Sequence, residues 1–349
     1  MSFLRGRCVE LAKMTIAAAL REAIREEMRR DPTVFCIGED IDIEGGFGGA
    51  FTVTLGLAEE FGFERIINTP ISEILIAGAA VGAAMTGMRP VADVQYGDFI
   101  LCMMDQLVNQ TAKMTYMSGG KVSVPMVMRI PVGATTRGSQ HAQSLESFLT
   151  HVPGLKVICP STAYDAKGML KQAIRDDNPV MVFEHKLLYG SKGNRSEKSA
   201  LSPVGEVPDG DYTIEFGKAA VRREGKDITV IANLLMVYRA MEAAEILEKE
   251  GISLEVIDIR SLVPFDYDTL NSSLGKTTRL MIVEEDTKRG GWGAEVAATA
   301  AEESLYLLDA PIKRVAGLDA PIPFAPVMEN YVIPSVDRIV TEARNLINQ

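Results

Sequence analysis

The chain has 349 residues, 47% of them hydrophobic and 24% charged, which suits about two globular domains with a sizeable core. A net charge of −11 with no cluster of lysine and arginine excludes a partner of the nucleic-acid type, since such partners demand phosphate neutralisation. Cys8, Cys36, Cys102 and Cys159 are scattered and form no CxxC, so zinc, redox and disulfide frameworks are excluded and a reducing cytoplasm fits.

Residues 1–13 carry Arg5, Arg7 and Lys13 but no continuous apolar signal core, and are read as an N-terminal extension. From 15 to 30 the residues Ile16, Leu20, Ala23, Ile24 and Met28 recur at helical spacing, and Asp31-Pro32 ends the run. Short strands are predicted at 34–37, 66–68, 90–94, 125–130, 156–158 and 180–184, with helices at 74–86, 99–117, 144–151 and 163–175 between them. Such alternation predicts a mostly parallel sheet with helices on both faces. Residues 74–88 are uncharged but fall short of the roughly 20 needed to span a bilayer, so no membrane segment is expected.

Residues 191–215 are rich in Ser, Gly, Pro and charge and read as a linker between a domain at 14–190 and a smaller α/β domain at 216–349. The second domain has predicted strands at 228–232, 254–257, 280–283 and 312–315, with helices at 235–249, 266–274 and 292–305.

Open parallel sheets bind ligands beyond the carboxyl ends of their strands. Three segments stand at such ends: Gly38-Glu39-Asp40, the run from Thr69 to Glu73, and the run from Gln95 to Phe99. Glu73 opens a helix unusually poor in bulk, with Gly78, Gly82 and Gly87 among alanines, although helical glycine costs about 1 kcal/mol against alanine. Another backbone or a flat ligand is therefore expected to approach it. Thr69 is the expected cap and Pro70 the opening residue, in which case Glu73 complements the helix dipole; in a cleft it would instead exchange a proton. The loop 44–49 is glycine-dense but matches neither GxGxxG nor GxxxxGK[ST], so a phosphate cradle is not expected there. His141 lies in a loop after the fourth strand, and no GxSxG accompanies it, which disfavours a serine hydrolase. The histidines are not paired at metal-ligand spacing.

Gly38-Glu39-Asp40, residues 65–73, Val108-Asn109-Gln110, Tyr116-Met117-Ser118-Gly119-Gly120, Gln140-His141, Pro153-Gly154-Leu155-Lys156-Val157, Arg175-Asp176-Asp177-Asn178-Pro179 and Gly290-Gly291-Trp292-Gly293 are motifs that occur in this order along the chain. Together they resemble the beta subunit of thiamine-diphosphate-dependent 2-oxo acid dehydrogenases, in the pyruvate and acetoin dehydrogenase branch of the transketolase-like superfamily. The resemblance covers essentially everything after residue 14. It implies a pyrimidine-binding transketolase-like domain followed by a transketolase C-terminal-like domain. It also implies that Glu73 hydrogen-bonds a pyrimidine nitrogen of the cofactor, with Glu39, Ile71 and Phe99 lining the same pocket, and that His141 serves the substrate or the lipoyl arm.

No GDG motif is present, so the resemblance implies an alpha subunit that holds Mg2+ and diphosphate, in a tetramer of two alpha and two beta chains. A lipoyl acyltransferase core is the implied acceptor. It further implies a potassium site built from the carbonyls of Met126, Ala173, Ile174, Asp176 and Asn178. Arg137, Ala142 and Cys102 depart from the usual pattern on the substrate side, which leaves pyruvate, acetoin and other 2-oxo acids open. The rival readings are half of a split transketolase acting on sugar phosphates, or a non-catalytic assembly subunit.

Overall fold

The computed structural model of the protein describes residues 11–42, 48–190 and 203–349. Thr15 starts the first helix, Ile16–Arg30, by accepting the Ala18 N–H at its hydroxyl, 3.1 Å away. The apolar positions at helical spacing, Ile16, Leu20, Ala23, Ile24 and Met28, are all buried. They pack against the helix Ala163–Arg175, which Thr162 caps in the same manner.

The first domain is built on a seven-stranded sheet. Its strands are Val34–Glu39, Ile66–Thr69, Arg89–Asp93, Val127–Val132, Lys156–Ile158 and Val180–His185, all mutually parallel, each beginning within two residues of its predicted start. Val34–Glu39 lies between Ile66–Thr69 and Arg89–Asp93, so the chain reverses its direction of progress across the sheet there. The seventh strand, Ser261–Val263, comes from the second domain and adds antiparallel to Lys156–Ile158 at the edge.

The second domain holds a five-stranded sheet in which Ile228–Ala232, Leu254–Asp258, Leu280–Thr287 and Lys313–Gly317 run parallel and Ala220–Arg223 is an antiparallel edge. The closing helix Val336–Ile347 packs on Leu234–Glu248 and buries Ile339, Val340, Ala343 and Leu346.

Three expectations need correction. The expected N-terminal extension at 1–13 is not wholly outside the fold: Leu11–Met14 pairs antiparallel with Gly205–Pro208, which itself lies inside the linker expected at 191–215. The single helix expected over 99–117 is three pieces, a 3₁₀ turn Gly97–Met103, a π-helical stretch Asp105–Thr111 and a short helix Met114–Met117. Thr69 does not cap the Glu73 helix. It ends a strand with its hydroxyl buried and without a partner, and Ser72 occupies the cap position. The glycine-dense loop falls outside the described residues except for Gly48 and Gly49.

Candidate active site

Parallel strands deliver the loops after them to one rim, and here five neighbouring strands do so. Val34–Glu39 ends on Glu39, which lies opposite Thr69 in the register, and Gly38 lies opposite Asn68 and Asp93. Thr69 leads through Pro70, Ile71 and Ser72 to Glu73, the first residue of the helix Glu73–Met85. Asp93 leads to Tyr96 and Phe99, Val127–Val132 to the loop carrying His141, and Val180–His185 directly to Lys186. The crevice stands at the reversal in strand order, where open α/β sheets hold their ligands.

Glu73 is partly exposed at the start of its helix, and the helix packs on the Gly97–Met103 turn that bears Phe99. Glu39 faces it closely enough that the two carboxylates repel. Burial first, then the charges of Asp40, Glu73 and Asp93, raise the pKa of Glu39 above the ordinary range. Ile71 stands 75% exposed beside them. An apolar residue so exposed next to two carboxylates suits contact with something outside this chain.

The aromatic side of the crevice is Tyr96, Phe99 and His141. The His141 ring meets Phe99 edge-on at 5.4 Å between centroids and Tyr96 at 5.6 Å. Two glycines let the backbone near these rings pack closely on its neighbours. A Cβ on Gly97 would lie 2.7 Å from the Val132 side chain, and one on Gly133 would lie 2.1 Å from Nε2 of His185. Gly133 also has φ +97°, a region that favours glycine.

The His141 loop is held at several points. Ala134 N–H donates to Oε1 of Glu285 at 2.6 Å, Thr136 N–H to Oε2 of Glu329 at 2.6 Å, and the Ser139 hydroxyl to the Ile322 carbonyl at 2.8 Å. All three acceptors belong to the second domain. From the first domain, Asp98 accepts from the Gln143 side chain at 2.9 Å, and Lys186 donates to the His141 carbonyl. Lys186 is 2% exposed and sits 5.1 Å from the centre of the Tyr96 ring.

Beneath the rim, Arg129 is 1% exposed and binds Asp93 at 2.5 Å and Glu184 through two bonds at 2.9 and 2.7 Å. Burial pushes the Asp93 carboxyl up to about 6 in spite of that arginine, and its Oδ1 has no partner.

The structure therefore brings Glu39, Glu73, Phe99 and His141 to one rim, with Ile71 at its outer edge. The potassium set fares differently. Nη1 of Arg89 donates to the carbonyls of Ile174 at 3.1 Å and Asp176 at 3.0 Å. Val180 N–H donates to the Met126 carbonyl at 2.9 Å and Asp176 N–H to the Ala173 carbonyl at 3.3 Å. A guanidinium thus already supplies positive charge to two of the five oxygens.

Sequence reading missed Lys186, Asp98, Glu285 and Glu329. For Lys186 the signal was available: it comes directly after a strand, as Glu39 ends one. The other three act on the loop only through tertiary contact.

The pyrimidine-binding domain of transketolase is matched over residues 12–192 and the transketolase C-terminal domain over 217–339. The chain is 46% identical over 338 residues to the 2-oxoisovalerate dehydrogenase subunit beta of Bacillus subtilis (strain 168), covering 96% of this chain and 99% of that protein. It is 45% identical over 340 residues to the acetoin:2,6-dichlorophenolindophenol oxidoreductase subunit beta of Cupriavidus necator, covering 95% and 97%. With the pyruvate dehydrogenase E1 component subunit beta-2, mitochondrial, of Oryza sativa subsp. japonica the identity is 45%, covering 95% and 86%. Among solved structures, a split-gene transketolase described as an inactive beta4 tetramer superposes with a TM-score of 0.75 at 22% identity, over 97% of this chain and 99% of that one. With both domain types in order and near-complete coverage of these relatives, the chain belongs to the family of beta subunits of thiamine-diphosphate-dependent 2-oxo acid and acetoin dehydrogenases.

Proposed function

We propose that this chain is the pyrimidine-gripping half of an active site completed by an alpha subunit, in a tetramer of two alpha and two beta chains. The enzyme would cleave a small 2-oxo acid or acetoin and pass the acyl group to a lipoyl-bearing acyltransferase core. The observation that carries this reading is the meeting of Glu73, Glu39 and the Phe99–His141 pair at adjacent strand ends.

The donor set fits thiamine diphosphate: a carboxylate at a helix start beside a second one whose pKa burial and neighbouring charges raise, next to an aromatic ring and an exposed isoleucine. When bound, the cofactor supplies an electron sink for cleaving a carbon–carbon bond next to a carbonyl. Glu73 would hold a proton at a ring nitrogen of its pyrimidine. Glu39, Ile71 and Phe99 would frame the same ring, and His141 would orient the reacting group from the substrate side. Mg2+ and diphosphate would fall to the alpha subunit, since the GDG motif that holds them in the family does not occur in this chain. Potassium has no part in this proposal, because Arg89 already serves two of the carbonyls expected to bind it. The free thiols Cys36, Cys102 and Cys159 suit a reducing compartment such as the cytoplasm.

The exposed stripe Ile74, Leu75, Gly78, Ala79 and Gly82 on the Glu73 helix supports a partner chain there. The test is Glu73→Gln in the purified alpha–beta complex, assayed by dye reduction with pyruvate, acetoin and branched 2-oxo acids. Turnover is expected to fall at least about a hundredfold with assembly intact. Unchanged turnover would make this an assembly subunit, and activity on sugar phosphates alone would favour a split transketolase.

A further inference from the structure

Outside the residues already given roles, the buried charge closest to the site is Lys186. Burying an ammonium costs free energy unless it is hydrogen-bonded, so where its donors go matters. Here it donates to the carbonyl of His141 itself and lies under the Tyr96 ring that the same histidine touches. The charged groups around it are Asp98 and Arg137 of the first domain and Glu285 and Glu329 of the second. Three of these four also bear on the His141 loop: Asp98 accepts from Gln143, Glu285 from Ala134 and Glu329 from Thr136. The residue before it, His185, is fixed in turn. Its Nδ1 accepts the Leu187 N–H at 3.2 Å, and its Nε2 lies 3.0 Å from Glu285. Nδ1 as acceptor leaves Nε2–H to donate to the carboxylate. Lys186 therefore grows from a rigid strand end and has little freedom to follow a moving loop.

We propose that Lys186 is a positioning residue that sets His141 for the acyl-transfer half of the reaction, by holding its backbone carbonyl while its own ammonium rests over the Tyr96 ring that the imidazole meets. This rests on the dehydrogenase reading above. The other four grips, at Ala134, Thr136, Ser139 and Gln143, do not use Lys186, so the loop remains folded while its histidine end loosens. Arginine keeps the charge and the donors at nearly the same reach, whereas methionine keeps only the length.

The experiment compares Lys186→Met, Lys186→Arg, His141→Ala and the Lys186→Met/His141→Ala double variant in the alpha–beta complex. Three quantities are read: 2-oxo-acid-driven dye reduction, acyl transfer to a free lipoyl domain, and the rate at which diethylpyrocarbonate modifies His141, with exposed His151 as internal reference. In Lys186→Met the ratio of acyl transfer to dye reduction is expected to fall about tenfold, with Lys186→Arg recovering most of it, and the double variant no worse than His141→Ala. His141 modification is expected to change about threefold or more while that of His151 does not. Equal loss of both half-reactions, multiplying losses in the double variant, or unchanged His141 modification would overturn the proposal. If the unaltered complex turns over no 2-oxo acid and no acetoin, the functional reading fails, and the modification rates still decide whether Lys186 holds His141.

Discussion

Arg129 carries one positive charge between two carboxylates, Asp93 and Glu184, with the Tyr189 hydroxyl donating to Glu184 at 2.5 Å. Burial first, with the neighbouring Glu184 charge, raises the Asp93 carboxyl to about 6 despite Arg129, and the Asp93 charge in turn raises Glu39 at the rim. Removing the cation leaves both carboxylates uncompensated, so Arg129→Met is expected to cost about 3–5 kcal/mol in chemical denaturation. Asp93→Asn removes the surplus charge and keeps the shape, and is expected to cost less than about 1 kcal/mol by the same measurement. Lys186 gives a pH prediction at this scale. Burial pulls its pKa down to about 8, opposed by Asp98, Glu285 and Glu329 and aided by Arg137. A base loses its charge as pH rises through its pKa, so acyl transfer by the unaltered complex is expected to decline above pH about 8. In Lys186→Arg that decline should be absent over the same range, since the guanidinium stays charged. Stopped-flow transfer rates across pH would check it.

The helix Glu73–Met85 shows how an element can be shaped for something outside its own chain. A Cβ on Gly82 would meet nothing within 4 Å, and one on Gly78 only the Gln106 side chain at 3.8 Å. These glycines are therefore not demanded by packing within the subunit, although each costs about 1 kcal/mol of helix propensity. Gly82→Leu is expected to leave the isolated subunit as stable as before, or more so, and to abolish its association with the alpha chain. Thermal melting and sedimentation of the mixed subunits would show this; retained assembly would remove the helix from the interface. The close approach expected of this glycine-rich stretch is thus absent within the subunit and turned outward.

At the scale of the whole molecule, the second domain does more than trail the first. It contributes the edge strand Ser261–Val263 to the first sheet and supplies Glu285, Glu329 and the Ile322 carbonyl to the His141 loop. A chain cut between the domains would lose those three grips. No helix among the described residues is long and apolar enough to cross a membrane.

The alternation of strands and helices was legible in the chain alone, as were the strand ends that carry Glu39, Glu73 and Phe99. Buried parallel strands are near-continuous apolar runs and their helices are amphipathic, so both are visible in local pattern. The helix Ala163–Arg175 and the strand Lys156–Ile158 match their predicted limits for that reason. It took the folded arrangement to establish that Leu11–Met14 is a strand, that Arg89 meets the carbonyls expected to bind potassium, and that Lys186 is fastened to His141. Each of these depends on a partner tens of residues away, and a hydrogen bond or ion pair across that distance leaves no periodic trace in the chain.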